Sequence, residues 1–572
     1  MKRWLAFLLM LHLALLTPAS AAPPLIVQDF ESPAAAPKVW VVNIPNQNAA
    51  VQISAEHPQA GASCLKLHYH FVATGGFQYL GIPIPVQLAD PVRELHFWLF
   101  GDDSYCAYGV QVTDAGGETH QYGKNSGQGG IIDFHGWKEI VFDLTTGHEI
   151  WGGDKNGKLD YPIKGITLTV GQPTKDGQAL AHESDLFFDT LSVTTGPADL
   201  MIPIAVISPE YGSAIQGDTR IDVSAPGFPT VTAKCWQAGP GAGNDSTVAA
   251  IRLDAAGRGN FVFPGNAYPH GPITVRLHGE NGAHRDNCYL QLYNRGGTSW
   301  NEGMPPEAPP PARGLALVFA DDFTTLPTIS SSDSHATYYD HKPGGGDFSS
   351  LPFSGFHSAA NPFAQMDTYL RIRASEKTRS AGLLSSLHPD GTGVKASVPC
   401  YFECRFLAPN AIGSWPAFWL LSDWDPARGH NDPGDELDII EAYGGEGPRA
   451  PNAFDTFCIT PHAWNQGEPG KALETRAQSE VRSPVSMRKA GILSAWFETF
   501  HTYGCLVTET DTIYYCDNRE IARHHTQPVS RSRPFYFMIN LATGGGWPVD
   551  LSRYHGQVDM YVDYVRVYAE KH

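Results

Sequence analysis

Short runs of alternating apolar and polar residues, broken by Gly, Pro, Asn and Asp, recur along most of the chain. Leu95–Phe100, Tyr108–Val112, Glu139–Leu144 and Ile166–Val170 are examples, and each fits a strand with one buried face. No long stretch keeps the 3.6-residue period of an amphipathic helix, so the pattern predicts an all-β protein. Its 572 residues exceed what one core ordinarily holds, which predicts several domains. Residues 24–196 read as one β-sandwich. A smaller one over 200–294 has strand candidates at Ile204–Ile207, Arg220–Val223, Val231–Trp236 and Ile273–Leu277. Residues 295–314 then carry Pro305, Pro306, Pro309, Pro310 and Pro311, a composition that predicts a semi-rigid linker. Strand-like patterning resumes over 315–572.

One segment breaks the alternation in an informative way. Glu436-Leu437-Asp438-Ile439-Ile440-Glu441 places three carboxylates among large apolar side chains. In a regular strand Glu436 and Asp438 share a face, while Glu441 would turn into the core and Ile440 toward solvent. Burying an unpaired carboxylate is costly. A one-residue bulge at Ile439-Ile440 restores Glu441 to the acidic face, and bulges cluster beside active sites. The two Glu backbones then lie roughly 13 Å apart at about 3.3 Å per residue. Side chains leaning inward could bring the carboxyls to about 5–5.5 Å, the spacing used in retaining glycoside hydrolysis. A solvated acidic edge strand is the plainer alternative.

Composition narrows the choices. Lys2 and Arg3, the apolar run Leu5–Leu16 and Ala19-Ser20-Ala21 read as a secretory signal over residues 1–21. The expectation is a secreted protein, extracellular or periplasmic, with no membrane span. Without Lys2 and Arg3 the 40 basic residues become 38 against 59 acidic ones, a net charge of −21. That opposes nucleic-acid binding and, more weakly, a polyanionic substrate. Thirteen Trp and 23 Tyr suit sugar-stacking surfaces, though all-β cores use them too. Nine Cys permit disulfides in an exported protein and leave one over. Cys505 and Cys516 fall opposite each other if residues 510 and 511 turn a hairpin, and Cys235 and Cys288 could bridge the smaller sandwich. Nothing has the spacing of a zinc or haem site.

Several segments resemble known families. Gln28-Asp29-Phe30-Glu31, Gly136-Trp137, Phe142-Asp143-Leu144 and Phe187-Phe188-Asp189 resemble jelly-roll carbohydrate-binding modules. The resemblance implies sugar platforms, for which Trp40, Tyr79 and Trp151 are candidates. It also implies a structural calcium, for which Glu31 and Asp189 are candidates. Residues 200–294 look like an immunoglobulin-like sandwich and default to a spacer. In the last segment an ordered set is found. Tyr401-Phe402-Glu403-Cys404-Arg405 precedes Gly413-Ser414-Trp415-Pro416-Ala417-Phe418-Trp419, and the acidic strand follows. Tyr514-Tyr515-Cys516-Asp517-Asn518, Asn540-Leu541-Ala542-Thr543-Gly544-Gly545-Gly546-Trp547-Pro548 and Val562-Asp563-Tyr564 come after it. In order and spacing these resemble glycoside hydrolase family 16, the concanavalin-like β-jelly-roll group of laminarinases, lichenases, agarases and carrageenases.

That resemblance implies two stacked antiparallel sheets with a substrate cleft across the concave one. It implies a retaining endo-glycosidase with Glu436 as nucleophile, Glu441 as acid/base and Asp438 assisting. It also implies Trp415, Trp419, His462 and Trp547 as sugar contacts. Asp563 matches a position that holds a structural calcium in some members, and no cofactor is implied for catalysis. The expected partner is a β-linked neutral polysaccharide, β-1,3- or β-1,3/1,4-glucan before a β-galactan, met by a monomer. A glycan-binding protein or a transglycosylase on the same scaffold are the other readings. Many laminarinases carry Trp-Pro just ahead of the acidic strand. Asn431-Asp432-Pro433-Gly434-Asp435 stands here instead, a departure that bears on substrate.

Overall fold

The computed structural model describes residues 24–571, apart from 33–36, 74–76, 124–128, 146–148, 154–156, 176–177, 196–202, 238–245, 282–283, 298–302, 424–431, 446–455, 468–470 and 474. The expected leader, residues 1–21, lies outside them. The protein is all-β, and Arg476–Val481 is the one α-helix among the described residues. No helix among those residues is long and apolar enough to cross a membrane.

Three pairs of antiparallel-rich sheets follow one another. In the first, a six-stranded sheet built on the strands 92–102, 182–195 and 64–71 faces a seven-stranded sheet built on 107–113, 163–171 and 79–88. The alternating residues foreseen there fill the space between them, with Leu95, Phe97, Leu99, Val110, Val112, Ile166 and Leu168 fully or almost fully buried. The second pair is smaller, with three strands (205–208, 218–224, 258–264) against five. The third pair sets an eight-stranded sheet centred on 557–569 and 400–407 against a seven-stranded one ordered 382–385, 535–543, 414–422, 434–441, 456–464 and 472–473.

The middle sandwich is more than a spacer. Its core and that of the C-terminal sheets form one continuous apolar cluster. Polar ties cross the same boundary. The Tyr211 hydroxyl donates to Gln291 at 2.7 Å, Gln291 donates to the Ala408 carbonyl, and Gln557 donates to the Tyr211 carbonyl at 3.0 Å. Arg553 pairs with Asp286 at 2.6 Å, and Arg276 with Glu498 at 2.8 Å. The Pro-rich segment is also laid down on protein. Proline has no backbone N–H but keeps its carbonyl, and the carbonyls of Pro305 and Glu307 accept from Arg566. Ala312 is buried against Tyr401 and Tyr568.

All nine cysteines are free thiols, and neither suggested disulfide forms. The hairpin after the strand 501–507 turns at 508–511, with Val507 opposite Thr512. That shifts the register, so Cys505 faces Tyr514 and Cys516 faces Tyr503. Cys235 and Cys288 lie in one sheet, but on strands separated by the strand 271–281.

Candidate active site

The acidic strand Gly434–Glu441 runs between the strands 414–422 and 456–464. Its pairing skips a residue on both sides. Phe418 and Trp419 oppose Ile440 and Asp438, while Thr460 and Cys458 oppose Asp438 and Glu441. The extra residue therefore sits at Ile439-Ile440. Leu437, Ile439 and Ile440 are all buried in the apolar cluster. The bulge lets two consecutive isoleucines point inward while the three carboxylates share the other face.

Each carboxylate has its own surroundings. Glu436 Oε2 accepts from the Trp464 indole N–H at 3.0 Å. His462 Nε2 lies 3.4 Å from Asp438 Oδ2 and 4.0 Å from Glu436 Oε1. Glu441 Oε1 accepts from the Trp415 indole N–H and the Tyr443 hydroxyl, both at 3.2 Å, and its Oε2 accepts from Thr460 at 3.0 Å. Burial pushes the Glu436 carboxyl up; His462 and Lys342 pull it back, Glu441 adds to the rise, and the Trp464 N–H opposes it. Asp438 is held well above the ordinary carboxylate range by burial first, then by Glu441 and Glu436, and by a hydrogen bond with Glu441. Three carboxylates this close cannot all ionise cheaply. Burial and its two acidic neighbours therefore favour the protonated form of Asp438, beside Glu441.

The aromatic candidates divide. The Trp415 ring is half-buried and stacks on Tyr443, with centroids 5.4 Å apart and planes at 25°. Trp419, expected as a sugar platform, is only 5 % exposed. Its indole donates to Asn540 Oδ1 at 2.8 Å, and Phe348 and Lys342 cover its ring. It underlies the site as packing. His462 stands beside both Glu436 and Asp438, and its Nδ1 lies 3.4 Å from Gln478 Nε2. Trp547 is half-exposed at the end of the loop Gly544-Gly545-Gly546, all three in left-handed backbone. Gly545 needs its missing side chain, since a Cβ there would lie 2.9 Å from both Trp415 and Tyr443.

Sequence reasoning missed Trp464, Thr460, Tyr443, Lys342 and Phe348. The first two carried a signal: Thr460, His462 and Trp464 alternate on one strand, so all three face the carboxylates. Lys342 and Phe348 come from an irregular segment with no period to read.

Each of the calcium candidates is engaged by donors within the protein. Asp563 is paired with the Arg405 guanidinium. Asp189 Oδ2 accepts the backbone N–H groups of Gln59 and Ala60, and Glu31 accepts those of Ala62 and Ser63. A calcium ion would have to compete with these donors for the same carboxylates. Asp114, Glu118 and His120, all fully buried, do gather close enough to share an ion, and so do Glu436, Asp438 and His462.

The fold and site thus define a class, an all-β double sheet presenting a bulged carboxylate triad flanked by indoles. No protein-family model matches the chain. It is similar to endo-1,3-1,4-beta-glycanase EglC of Rhizobium meliloti (strain 1021), 31% identical over 223 residues, 37% of this chain and 40% of that protein. It is also similar to endo-1,3-1,4-beta-glycanase ExsH of the same organism, 34% identical over 174 residues, 30% of each. The chain thus spans well under half the length of either relative. A solved structure of a non-specific endo-beta-1,3(4)-glucanase from family GH16 aligns with 47% of this chain and 96% of its own, at 21% identity and a TM-score of 0.32.

Proposed function

We propose that the protein is an exported, monomeric, retaining endo-glycosidase that hydrolyses β-1,3- or β-1,3/1,4-linked glucan. The observation that carries this is the unequal provision made for Glu436 and Glu441 on one bulged strand. At Glu436 an indole N–H, His462 and Lys342 counter the rise that burial causes and so support a carboxylate. Glu441 has Asp438 beside it, whose raised carboxyl lets the pair hold a proton between them. Two acids of one type divide nucleophile and acid/base roles only when their surroundings differ. The names of the two Rhizobium relatives support the substrate class.

In this reading Glu436 attacks the anomeric carbon as the proton shared by Asp438 and Glu441 passes through Glu441 to the departing glycosidic oxygen. Glu441 then takes a proton from water, whose oxygen displaces Glu436 from the sugar. Asp438 keeps a proton within reach of Glu441 and limits repulsion among the three acids. Trp415, His462 and Trp547 contact sugar. Cleavage of lichenan and laminarin but not agarose or galactan tests the substrate, and release from the galactans alone overturns it. Glu436→Gln should lower turnover by several orders of magnitude with the fold intact. Glu441→Gln should be as damaging on glucan yet retain activity on a dinitrophenyl glycoside, whose leaving group needs no proton. Equal loss on that substrate refutes the division of roles. Amino-terminal sequencing of secreted protein, expected to begin near Ala22, tests export.

A further inference from the structure

A cavity of about 560 Å³ lies on the seven-stranded sheet of the first sandwich, walled by Trp40, Phe77, Tyr79 and Trp151. A second of about 270 Å³ continues it, sharing Phe77, Tyr79 and Gln121. The rings are presented to solvent, with Phe77 64% and Trp151 43% exposed. Phe77 stacks on Tyr79 at 5.4 Å, and Trp40 lies 5.8 Å from Tyr79. Between them runs a polar row in which Gln111 donates to Gln121, and Gln121 to Glu149, each at 3.0 Å. Flat apolar rings beside amide and carboxylate groups suit the two faces of a neutral sugar. Glu149 disfavours an anionic ligand.

The far wall of this groove belongs to the C-terminal segment. Gly546 lines it, and its carbonyl accepts from the Ile150 backbone N–H at 3.0 Å. Gly157 packs on Pro548, where an added Cβ would lie 2.9 Å from the proline ring. The preceding residue, Gly545, abuts Trp415 and Tyr443, two of the three donors to Glu441. Two successive glycines therefore join the aromatic groove to the carboxylate site.

We propose that the groove is a remote subsite of the same active site: one β-linked neutral glycan chain lies over the carboxylates, passes the 544–547 loop and stacks on Trp151, Trp40 and Phe77. The proposal rests on the glycosidase reading above and adds to it. An independently tethered module raises only the local concentration of polymer. A continuous groove makes the cleavage of a soluble oligosaccharide depend on its length.

The test measures kcat/KM of the full chain, Trp151→Ala and Phe77→Ala along a series of soluble gluco-oligosaccharides from lichenan. Both side chains are substantially exposed, and thermal melting checks the fold of each variant. The gain in kcat/KM from the shortest cleaved chain to the longest should shrink about tenfold in each variant, the loss expected on removing a buried aromatic contact. An unaltered length dependence, or an equal loss at every length, overturns the proposal. Should the wild type cleave none of these sugars, the glycosidase reading fails separately. Calorimetric binding of the same series to the full chain then decides the groove: affinity that grows with length and is lost in Trp151→Ala upholds it, and affinity independent of Trp151 overturns it.

Discussion

Arg553 is the sharpest test of how the middle sandwich is joined to the C-terminal sheets. Its guanidinium donates twice to the Ile204 carbonyl and once to Asp286 Oδ2, which also accepts the Ile204 N–H. Side-chain exposure is 14% for Arg553 and 22% for Asp286. Arg553→Met keeps most of the aliphatic stem but leaves Asp286 with one donor and the Ile204 carbonyl with none. Breaking a well-buried pair costs about 3–5 kcal/mol, and the residual exposure here argues for the lower end, about 3 kcal/mol. With an entropy of unfolding near 2.1 cal/mol/K per residue over roughly 350 residues, that loss lowers Tm by about 4 °C. Scanning calorimetry of the full chain should show one transition for the middle and C-terminal segments together, moved as a unit by the substitution. Two separate transitions, or a Tm within about 1 °C of wild type, would refute a shared core, since a surface contact shifts stability by only about 0.5 kcal/mol.

Two further outcomes concern the carboxylates. Trp464→Phe removes the N–H that favours ionised Glu436; the acid limb of the kcat/KM profile should move to higher pH, and an unmoved limb would show that the indole only packs. In Asp438→Asn the amide mimics the protonated acid and can still donate to Glu441. The folded pKa of Asp438 is raised, so its contribution to stability is full below the unfolded value of about 3.9 and is lost as pH climbs through the folded one. The Tm of Asp438→Asn minus that of wild type should therefore grow with pH across that window, whereas a flat or shrinking difference would contradict a protonated Asp438.

What the sequence by itself determined is local. Alternation foretold the strands, because one buried face is the cheapest way to place a half-apolar segment in a sheet. The bulge was legible for the same reason: Ile439 and Ile440 are adjacent and apolar, and the carboxylates around them resist burial. Which donor serves which carboxylate was decided only in three dimensions. Tyr443, Trp464, Lys342 and Phe348 reach the site from a loop, a neighbouring strand and an irregular segment, and pairing of distant strands leaves no trace in local periodicity. Register was decided there too: a turn at 508–511 displaced Cys505 and Cys516 from each other by two residues. The same holds for the docking of the first sandwich on Gly546 and Pro548 and the merging of the middle core with the last. Such contacts depend on surfaces that exist only after each sheet has formed, so no pattern within a single segment encodes them.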